Sequence, residues 1–417
     1  MEKSGKFRLT SLERNWILYD VGNSAFVLMV ATLIPIFFNA LAAAGGLSSV
    51  EYLAYWGYAS SAVTIITAVL SPILGTVADT KGFKKPIFIL CVFVGIVGCC
   101  AMGAVSAWLP FLVIFVIAKV GFSGSLVFYD SMLSDVTAPE RMDEVSSRGY
   151  AWGYIGSCVP FVVCLGLVLG AGSIGISQMT ALNLALLLTA AWWLLTTLPL
   201  LKSYKQLYYV EVEKHAVRQS FARIGHTLRH LPEDKQVFWF LLAFFCYIDG
   251  VYTIIDMATA YGTALGLDTT GLLLALLVTQ IVAFPSALVF GRLSNKYPSA
   301  KLIPVCIAAY AGIAVFAFFL TQQWQFWVLA VIVGMFQGGV QALSRSHFAK
   351  IIPPEKSGEY FGLFDICGKG ASFLGTMIVS VGSQLTGSAN VGVGSLIVLF
   401  IVGFVLFRVS CRQSETA

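Results

Sequence analysis

Charge is what this 417-residue chain has least of: Asp, Glu, Lys and Arg make up 11% of it, against 58% hydrophobic residues. A soluble domain carries about 25% charged residues, so a freely soluble globule is excluded. Histidine is scarce too, with four residues in all. The nine cysteines lie almost wholly inside apolar runs, which argues against a disulfide framework or a metal site. Catalytic signatures are missing: no Gly-x-x-x-x-Gly-Lys-Ser/Thr loop for ATP, no His-Glu-x-x-His helix, no nucleophile elbow. Neither an enzyme nor a cofactor is expected, and any work the chain performs must draw on a gradient. No Asn-x-Ser/Thr sequon occurs. The short basic N-terminus runs into a full-length apolar span, which predicts no cleaved signal peptide.

What is abundant is the apolar run of about 20 residues, the length that crosses a bilayer as a helix. Twelve such spans are expected. Residues 16–41, 52–77, 86–105, 109–133, 149–169 and 178–200 form the first six. Residues 237–261, 270–293, 302–320, 326–348, 360–381 and 391–409 form the second six.

The connections alternate between basic and bare. The N-terminal tail holds Lys3, Lys6, Arg8 and Arg14, and the second connection holds Lys81, Lys84 and Lys85. The sixth holds Lys202, Lys205, Lys214, Arg218, Arg223, Arg229 and Lys235, while the odd-numbered connections hold no Lys or Arg. The positive-inside rule then puts both termini in the cytoplasm, which requires an even number of spans. A multi-pass protein of the plasma membrane follows, the inner membrane if the source is bacterial. The net charge of +5 reflects this topology and the anionic inner leaflet, so nucleic acid is not an expected partner.

The chain also repeats itself. "GTVADTKGFKKP" (75–86) follows the second span and "GRLSNKYPSAKL" (291–302) follows the eighth. Gly75 falls on Gly291 and Asp79 on Asn295, 216 residues apart. "APERMDEVSSRG" (138–149) is likewise echoed by "PPEKSGEYFG" (353–362), with Glu140 and Glu355 separated by 215. The period is half the chain, which describes a parallel repeat of two six-helix units. The expected fold is an all-α integral membrane protein of twelve transmembrane helices in two pseudo-symmetric bundles. Residues 1–200 and 237–417 are the bundles and 201–236 the cytoplasmic linker.

Gly75, Asp79, Gly82, Lys84 and Lys85 resemble the loop motif of the major facilitator superfamily, with Phe83 where a basic residue is common. Glycines there let helices approach closely, and a carboxylate can complement the N-terminus of a helix from the other half. "NWILYDVGNSAF" (15–26), "FYDSMLSDVTAPERMDEVSSRGYAWGYIG" (128–156), "YIDGVYT" (247–253) and "GGVQALSRS" (338–346) resemble the autophagy-related vacuolar effluxer family and its bacterial relatives. That resemblance implies a major facilitator transporter, with amino-acid efflux from the vacuole proposed for fungal members. Asp256 is an acid outside the family pattern.

Within 206–231 of the linker, Val210, Val217, Phe221, Ile224, Leu228 and Leu231 share one helical stripe opposite basic residues. An amphipathic helix on the inner leaflet is expected there. His215, His226 and His230 lie in this stretch and read as solvated interfacial residues rather than metal ligands.

Ionisable residues inside spans are costly unless paired or hydrated, so each is a candidate for function. They are Asp20 in helix 1, Lys119 and Asp130 in helix 4, Asp249 and Asp256 in helix 7, and Asp365 and Lys369 in helix 11. Helices 3, 6, 9 and 12 carry none inside, as suits supporting helices around a central cavity. Asp249 and Asp256 are seven apart and share a helix face; Asp365 and Lys369 are four apart and can pair. Expected solute contacts are Lys119, Asp249, Lys369, Asn23, Gln337, Gln341 and Tyr247. Asp249, Asp256, Asp20 and Asp365 are the proton-coupling candidates. Gly75, Asp79, Gly82, Lys84, Lys85, Gly291, Asn295 and Arg345 are the gate and loop residues. Lysine for a carboxylate and aspartate for an ammonium would suit an amino acid. Organic anions or other small metabolites, and a solute sensor that moves nothing, are the alternatives. The expected partners are the bilayer, a small polar solute and protons, for a monomeric carrier.

Overall fold

The computed structural model describes residues 7–211, 227 and 229–416. Among them, eleven helices are long and apolar enough to cross a membrane, and Ser357–Thr386, 30 residues long, is the twelfth long helix. The first six are α1 (Ser11–Ala31, continued by Leu33–Ala44), α2 (Ser49–Ala78), α3 (Lys84–Met102), α4 (Trp108–Ser131), α5 (Met142–Leu169) and α6 (Gln178–Ser203). The second six are α7 (Lys235–Ala264), α8 (Thr269–Leu293), α9 (Ser299–Phe318), α10 (Gln323–Ile351), α11 (Ser357–Thr386) and α12 (Ile397–Thr416).

Helix is the form that satisfies its own backbone in oil, which is why nearly all of the chain adopts it. Polar residues mark the starts. Thr10 with Glu13 and Ser48 with Glu51 form capping boxes, and Asp268 accepts from the Gly271 N–H at 2.7 Å. α1 breaks at Thr32, where Pro35 removes the N–H that would bond the Ala31 carbonyl. The last span is divided as well, into the short helix Ala389–Gly394 and α12.

α3, α6, α9 and α12 present apolar side chains outward: Leu90 and Phe93 (59% and 61% exposed), Leu195, Val305 and Ile401. In water such a surface would drive aggregation; in a bilayer it is the lipid contact. Aromatic clusters fill each half. Phe26, Phe122 and Trp193 interlock in the first, and Tyr247, Phe240 and Phe407 in the second.

The amphipathic helix expected over 206–231 is corrected at its start. Residues 204–210 are non-helical, with a bend at Tyr208, and Val210 pairs with Thr80 in an isolated parallel bridge. The Asp135 carboxylate takes the N–H groups of Leu207 and Tyr208, and the Asp79 carbonyl that of Val210, and this outweighs the apolar periodicity. Most of the remaining stripe, with His215 and His226, lies outside the described residues.

Candidate functional site

The halves meet most tightly at the end that carries the basic connections. α2 packs on α11, and α5 packs on α8 and α10, whereas α1 and α7 form no packed pair. Glycine permits the approach. A Cβ on Gly358 would stand 2.6 Å from the Gly75 carbonyl oxygen, and one on Gly75 would collide with the Gly358 carbonyl. In the second copy of the repeat, a Cβ on Gly291 would stand 2.9 Å from Ser147 Cβ.

Asp79 ends α2, and its carboxylate faces the first turn of α11. Oδ1 accepts from the Gly358 N–H at 2.7 Å and Oδ2 from the Glu359 N–H at 2.8 Å. Free N–H groups and the helix dipole both favour an anion there. Lys84, fully buried, stands 3.7 Å from Asp79 and 3.6 Å from Asp135, and donates to Ser357 Oγ at 2.8 Å. Burial pushes the Asp79 carboxyl up to about 6, against the pull of Lys84 and the two backbone donors. Gly82 takes φ +80 at the loop tip and donates to Gln206 Oε1; Lys85 is half-buried.

The second copy is wired in the opposite sense. Asn295 is exposed, and its amide donates to Glu144 Oε2 at 2.8 Å, while Glu144 also binds Arg148 at 2.6 Å. In one copy the loop supplies the carboxylate; in the other the helix does.

Arg345 on α10 closes the space between these two contacts. Its guanidinium lies 2.9 Å from Asp130 and 3.8 Å from Asp20, and donates to the Ser146 hydroxyl at 2.9 Å and the Ser146 carbonyl at 3.1 Å. Trp16 and Tyr150 stack on it at 4.7 and 4.3 Å. Only 2% of the residue is exposed. Lys350 and Ser346 of the same helix both reach Asp143 at 2.6 Å. At mid-depth the halves are joined by hydrogen bonds from Ser71 to Asp365 and from Tyr154 to Gln341.

Towards the other end the two halves present charges to one another. Lys119 lies 11 residues from the start of α4 and Asp256 eight from the end of α7, which puts them at similar depth, ~12–16 Å from that end. Asp256 is exposed, Lys119 is half-buried over the Phe122 ring at 4.7 Å, and the lysine is within electrostatic reach of the acid. Tyr252 stands between this pair and the closed end, within reach of Asp130, Asp365, Asp256 and Arg345.

Other expected solute contacts lie elsewhere. Asp249 is fully buried in the α7–α11 packing, where Oδ1 accepts from the Gly375 N–H at 2.9 Å and Oδ2 has no hydrogen-bond partner among the described residues. It does not share the open space with Asp256. Tyr247 is fully buried and bonded to Ser344 at 2.6 Å, inside the second half. Asn23 donates to the Tyr19 carbonyl, and Gln341 accepts from Tyr154. Gln337 lines a cavity of about 60 Å³ within the second half, its side-chain oxygen without a hydrogen-bond partner among the described residues. The Lys369 side chain lies outside the described residues, so its pairing with Asp365 does too.

Sequence reasoning did not single out Asp135, Asp143, Glu144 or Ser146. A signal for the central pair was nevertheless present. Asp130 and Arg345 are 215 residues apart, the separation of Glu140 and Glu355, as are Asp135 and Lys350. Equivalent positions of a two-fold repeat meet near its axis, and opposite charges placed there bind each other.

Comparison with known proteins identifies the family and the fold. Residues 11–416 match the family model "Vacuole effluxer Atg22 like". The chain is 41% identical over 414 residues to an uncharacterized MFS-type transporter, YxiO of Bacillus subtilis, covering 98% of this chain and 97% of that one. It is 25% identical over 315 residues to autophagy-related protein 22 of Coccidioides immitis, covering 65% of this chain but 51% of the relative. The chain thus spans about half the length of that fungal protein. In fold it is similar to the human organic anion transporter MFSD10 (TM-score 0.71, 15% identity, 95% and 99% covered). It is equally similar to the major facilitator transporter FucP in the outward conformation (TM-score 0.71, 16% identity, 96% and 97% covered). With a glycine-mediated, charge-latched closure repeated in both halves and a family match over nearly its whole length, the chain belongs to the Atg22-like vacuole-effluxer family of major facilitator transporters.

Proposed function

We propose that the chain moves a small polar or zwitterionic solute, amino-acid-like in its charges, by alternating access coupled to protons. Residues 1–200 and 237–417 rock as two bundles joined by 201–236. The observation that carries this reading is that Lys119 and Asp256 stand within electrostatic reach of each other: opposite charges from opposite halves, at similar depth, with Asp256 exposed. Lysine there meets a solute carboxylate, and aspartate an ammonium. Asp256 also becomes the leading proton-coupling candidate, ahead of Asp249, because it faces the space through which protons and solute pass. Tyr252, Asp365 and Asp20 line the way down to Arg345.

With the basic connections in the cytoplasm by the positive-inside rule, the closed end is the inner one and the arrangement is outward-open in the plasma membrane. The similarity to FucP in its outward conformation supports that orientation. Cysteines placed at Ser48 and Ser388 then label from outside intact cells, and one at Gln219 does not.

The test is a proteoliposome assay with the proteinogenic amino acids and a panel of organic anions as labelled probes. Lys119→Met abolishes counterflow of the transported probe. Asp256→Asn retains counterflow, which needs only the loaded carrier to reorient, and loses pH-gradient-driven accumulation. Gradient-driven transport unimpaired in Asp256→Asn removes that residue from coupling, with Asp249→Asn as the next variant. Counterflow of organic anions alone replaces the amino-acid reading. Binding without flux of any probe replaces transport with sensing.

A further inference from the structure

Behind the face of α2 that meets α11, the first half is hollow. A cavity of about 140 Å³ is walled by α2, α3 and α4. Two features of the sequence open it. Gly124 of α4 presents no side chain, and a Cβ there would stand 3.0 Å from Cys91 Sγ of α3. α2 meanwhile leans the other way: a Cβ on Gly362 of α11 would stand 2.6 Å from Pro72 Cα, and Ser71 donates to Asp365 at 2.8 Å. Pro72 lacks the N–H that would bond the Ala68 carbonyl, so α2 bends easily at this level. α2 accordingly packs far more on α11 than on α3, its neighbour in the chain. Leu70, Leu74, Leu90 and Val94 make the wall apolar, and its two hydroxyls are already engaged, Thr67 with the Val63 carbonyl at 2.7 Å and Ser71 with Asp365. A buried water needs two to four polar partners, which such a wall does not supply. Leu90 belongs to the wall and is also 59% exposed, beside Phe93 on the lipid face of α3, so the cavity opens to the bilayer. Its α2 wall runs from Leu74 back to Thr67, ~6–16 Å from the end of α2 at the basic loop, the depth of inner-leaflet chains.

We propose that this cavity is a binding site for one acyl chain of an inner-leaflet phospholipid, and that the chain is a wedge holding α2 against α11. The size suits it: an engineered apolar cavity of about 150 Å³ stays dry and takes up benzene, so several methylenes fit here. An empty void leaves its lining without contacts on one side, and a chain restores them. The void belongs to the docked form, in which Pro72 and Ser71 are drawn onto Gly362 and Asp365 of α11. Once α11 withdraws, α2 is free to settle back on α3 and α4 and close the gap. The chain therefore binds the docked form more tightly and shifts the balance towards it, as a ligand with equal affinity for both forms would not. Polar and charged contacts pull α2 from one side, and the lipid pushes it from the other.

The experiment needs no solute, so it stands apart from the nature of the cargo; the wedge does rest on the alternating-access reading. For the site, the probe is a phosphatidylcholine with a diazirine in mid-chain, carried in nanodiscs and irradiated. Peptides holding Leu70, Leu74, Leu90 and Val94 should be labelled several-fold more than those holding Val305 and Ile401 on the lipid faces of α9 and α12. Gly124→Leu, which fills the cavity from α4, removes the excess. Equal labelling of all these peptides means ordinary lipid contact only and overturns the site. For the wedge, spin labels carried on Phe83 and Glu355 report the docked-to-parted ratio in nanodiscs. Stripping the protein of lipid into a fluorinated surfactant lowers the ratio about ten-fold, because an unfilled cavity of this size weakens the form that holds it, and adding phosphatidylcholine back restores it. Gly124→Leu supplies its own filling, so its ratio stays high and ignores the lipid. Cys91→Leu fills the same space from α3 and should behave alike, with melting temperature as the check on folding in both. A wild-type ratio indifferent to lipid, or a response undiminished in both filled variants, overturns the wedge. Gly75→Val is the control that parts α2 from α11 by bulk. Parting in Gly75→Val without any effect of lipid sinks this inference alone, whereas no parting under any condition sinks alternating access.

Discussion

Replacing Arg345 with methionine keeps much of the side-chain volume and deletes the charge that Asp130, Asp20 and Ser146 share. At an effective dielectric of about 20, contacts of 2.9 and 3.8 Å correspond to roughly 6 and 4 kcal/mol of attraction before desolvation. Desolvation of the guanidinium and the carboxylates offsets much of that. What the mutation exposes is the other side of the balance: a buried carboxylate, Asp20, and a half-buried one, Asp130, without their cation, a loss of about 3–5 kcal/mol. The loss falls on the docked form, since both acids regain water once α10 separates from α1 and α4. At about 1.4 kcal/mol per decade, the docked-to-parted ratio should drop by roughly two to three and a half orders of magnitude. The spin-label pair on Phe83 and Glu355 reads this directly, with melting temperature as the check on folding. The repeat supplies a second arm. Asp130 and Arg345 occupy equivalent positions, so Asp130→Arg combined with Arg345→Asp restores an ion pair across the axis. Recovery is partial, because Ser146, Trp16 and Tyr150 are arranged around a guanidinium on α10. A folded Arg345→Met protein with an unchanged distance distribution would refute the reasoning, and the closure would then rest on the two glycine contacts alone.

The two copies of the loop should respond unequally. Asp79→Ala removes a buried acceptor of two backbone N–H groups and parts the halves more than Asn295→Ala, which removes one part-buried hydrogen bond; equal shifts in the inter-half distance would contradict this. Gly75→Val should part α2 from α11 with little loss in melting temperature, since the clash exists only in the docked form, and a docked Gly75→Val protein would count against it. Acid should favour closure: the Asp79 carboxyl titrates near 6 when docked and near ~3.9 when solvated, so docking takes up a proton as pH falls through about 6 towards 4. Between pH 8 and 5 the Asp79 contribution to the ratio rises about ten-fold, and it disappears in Asp79→Asn; an identical pH profile in that variant would exclude the link.

The loop motif was legible in the sequence down to the atom that matters. A glycine four residues before an acid, with basic residues following, predicts a close helix approach and a carboxylate at a helix N-terminus, and Gly75, Asp79 and Lys84 occupy those places. The linker was not legible in the same way. Apolar periodicity over 206–231 points to a helix, but periodicity does not show that Asp135, some seventy residues earlier, takes the N–H groups of Leu207 and Tyr208. Competition from a distant acceptor leaves no mark on the local pattern.

The sequence by itself determined the class, the number of spans, the repeat and the depth of each buried charge. Those properties follow from composition along one dimension: a helix in oil needs about 20 apolar residues, and depth is residue number multiplied by a constant rise. The tertiary structure alone decided the environments. Asp249 and Asp256 lie on one face of α7 by phase, yet one is packed on Gly375 of α11 and the other faces open space. The reason is that helices which touch near one end of a membrane diverge towards the other, so one face of a helix is core at one depth and cavity at another. Likewise only the way two equivalent helices meet across their axis brought Asp20, Asp130 and Arg345, from three different helices, to a single ion cluster.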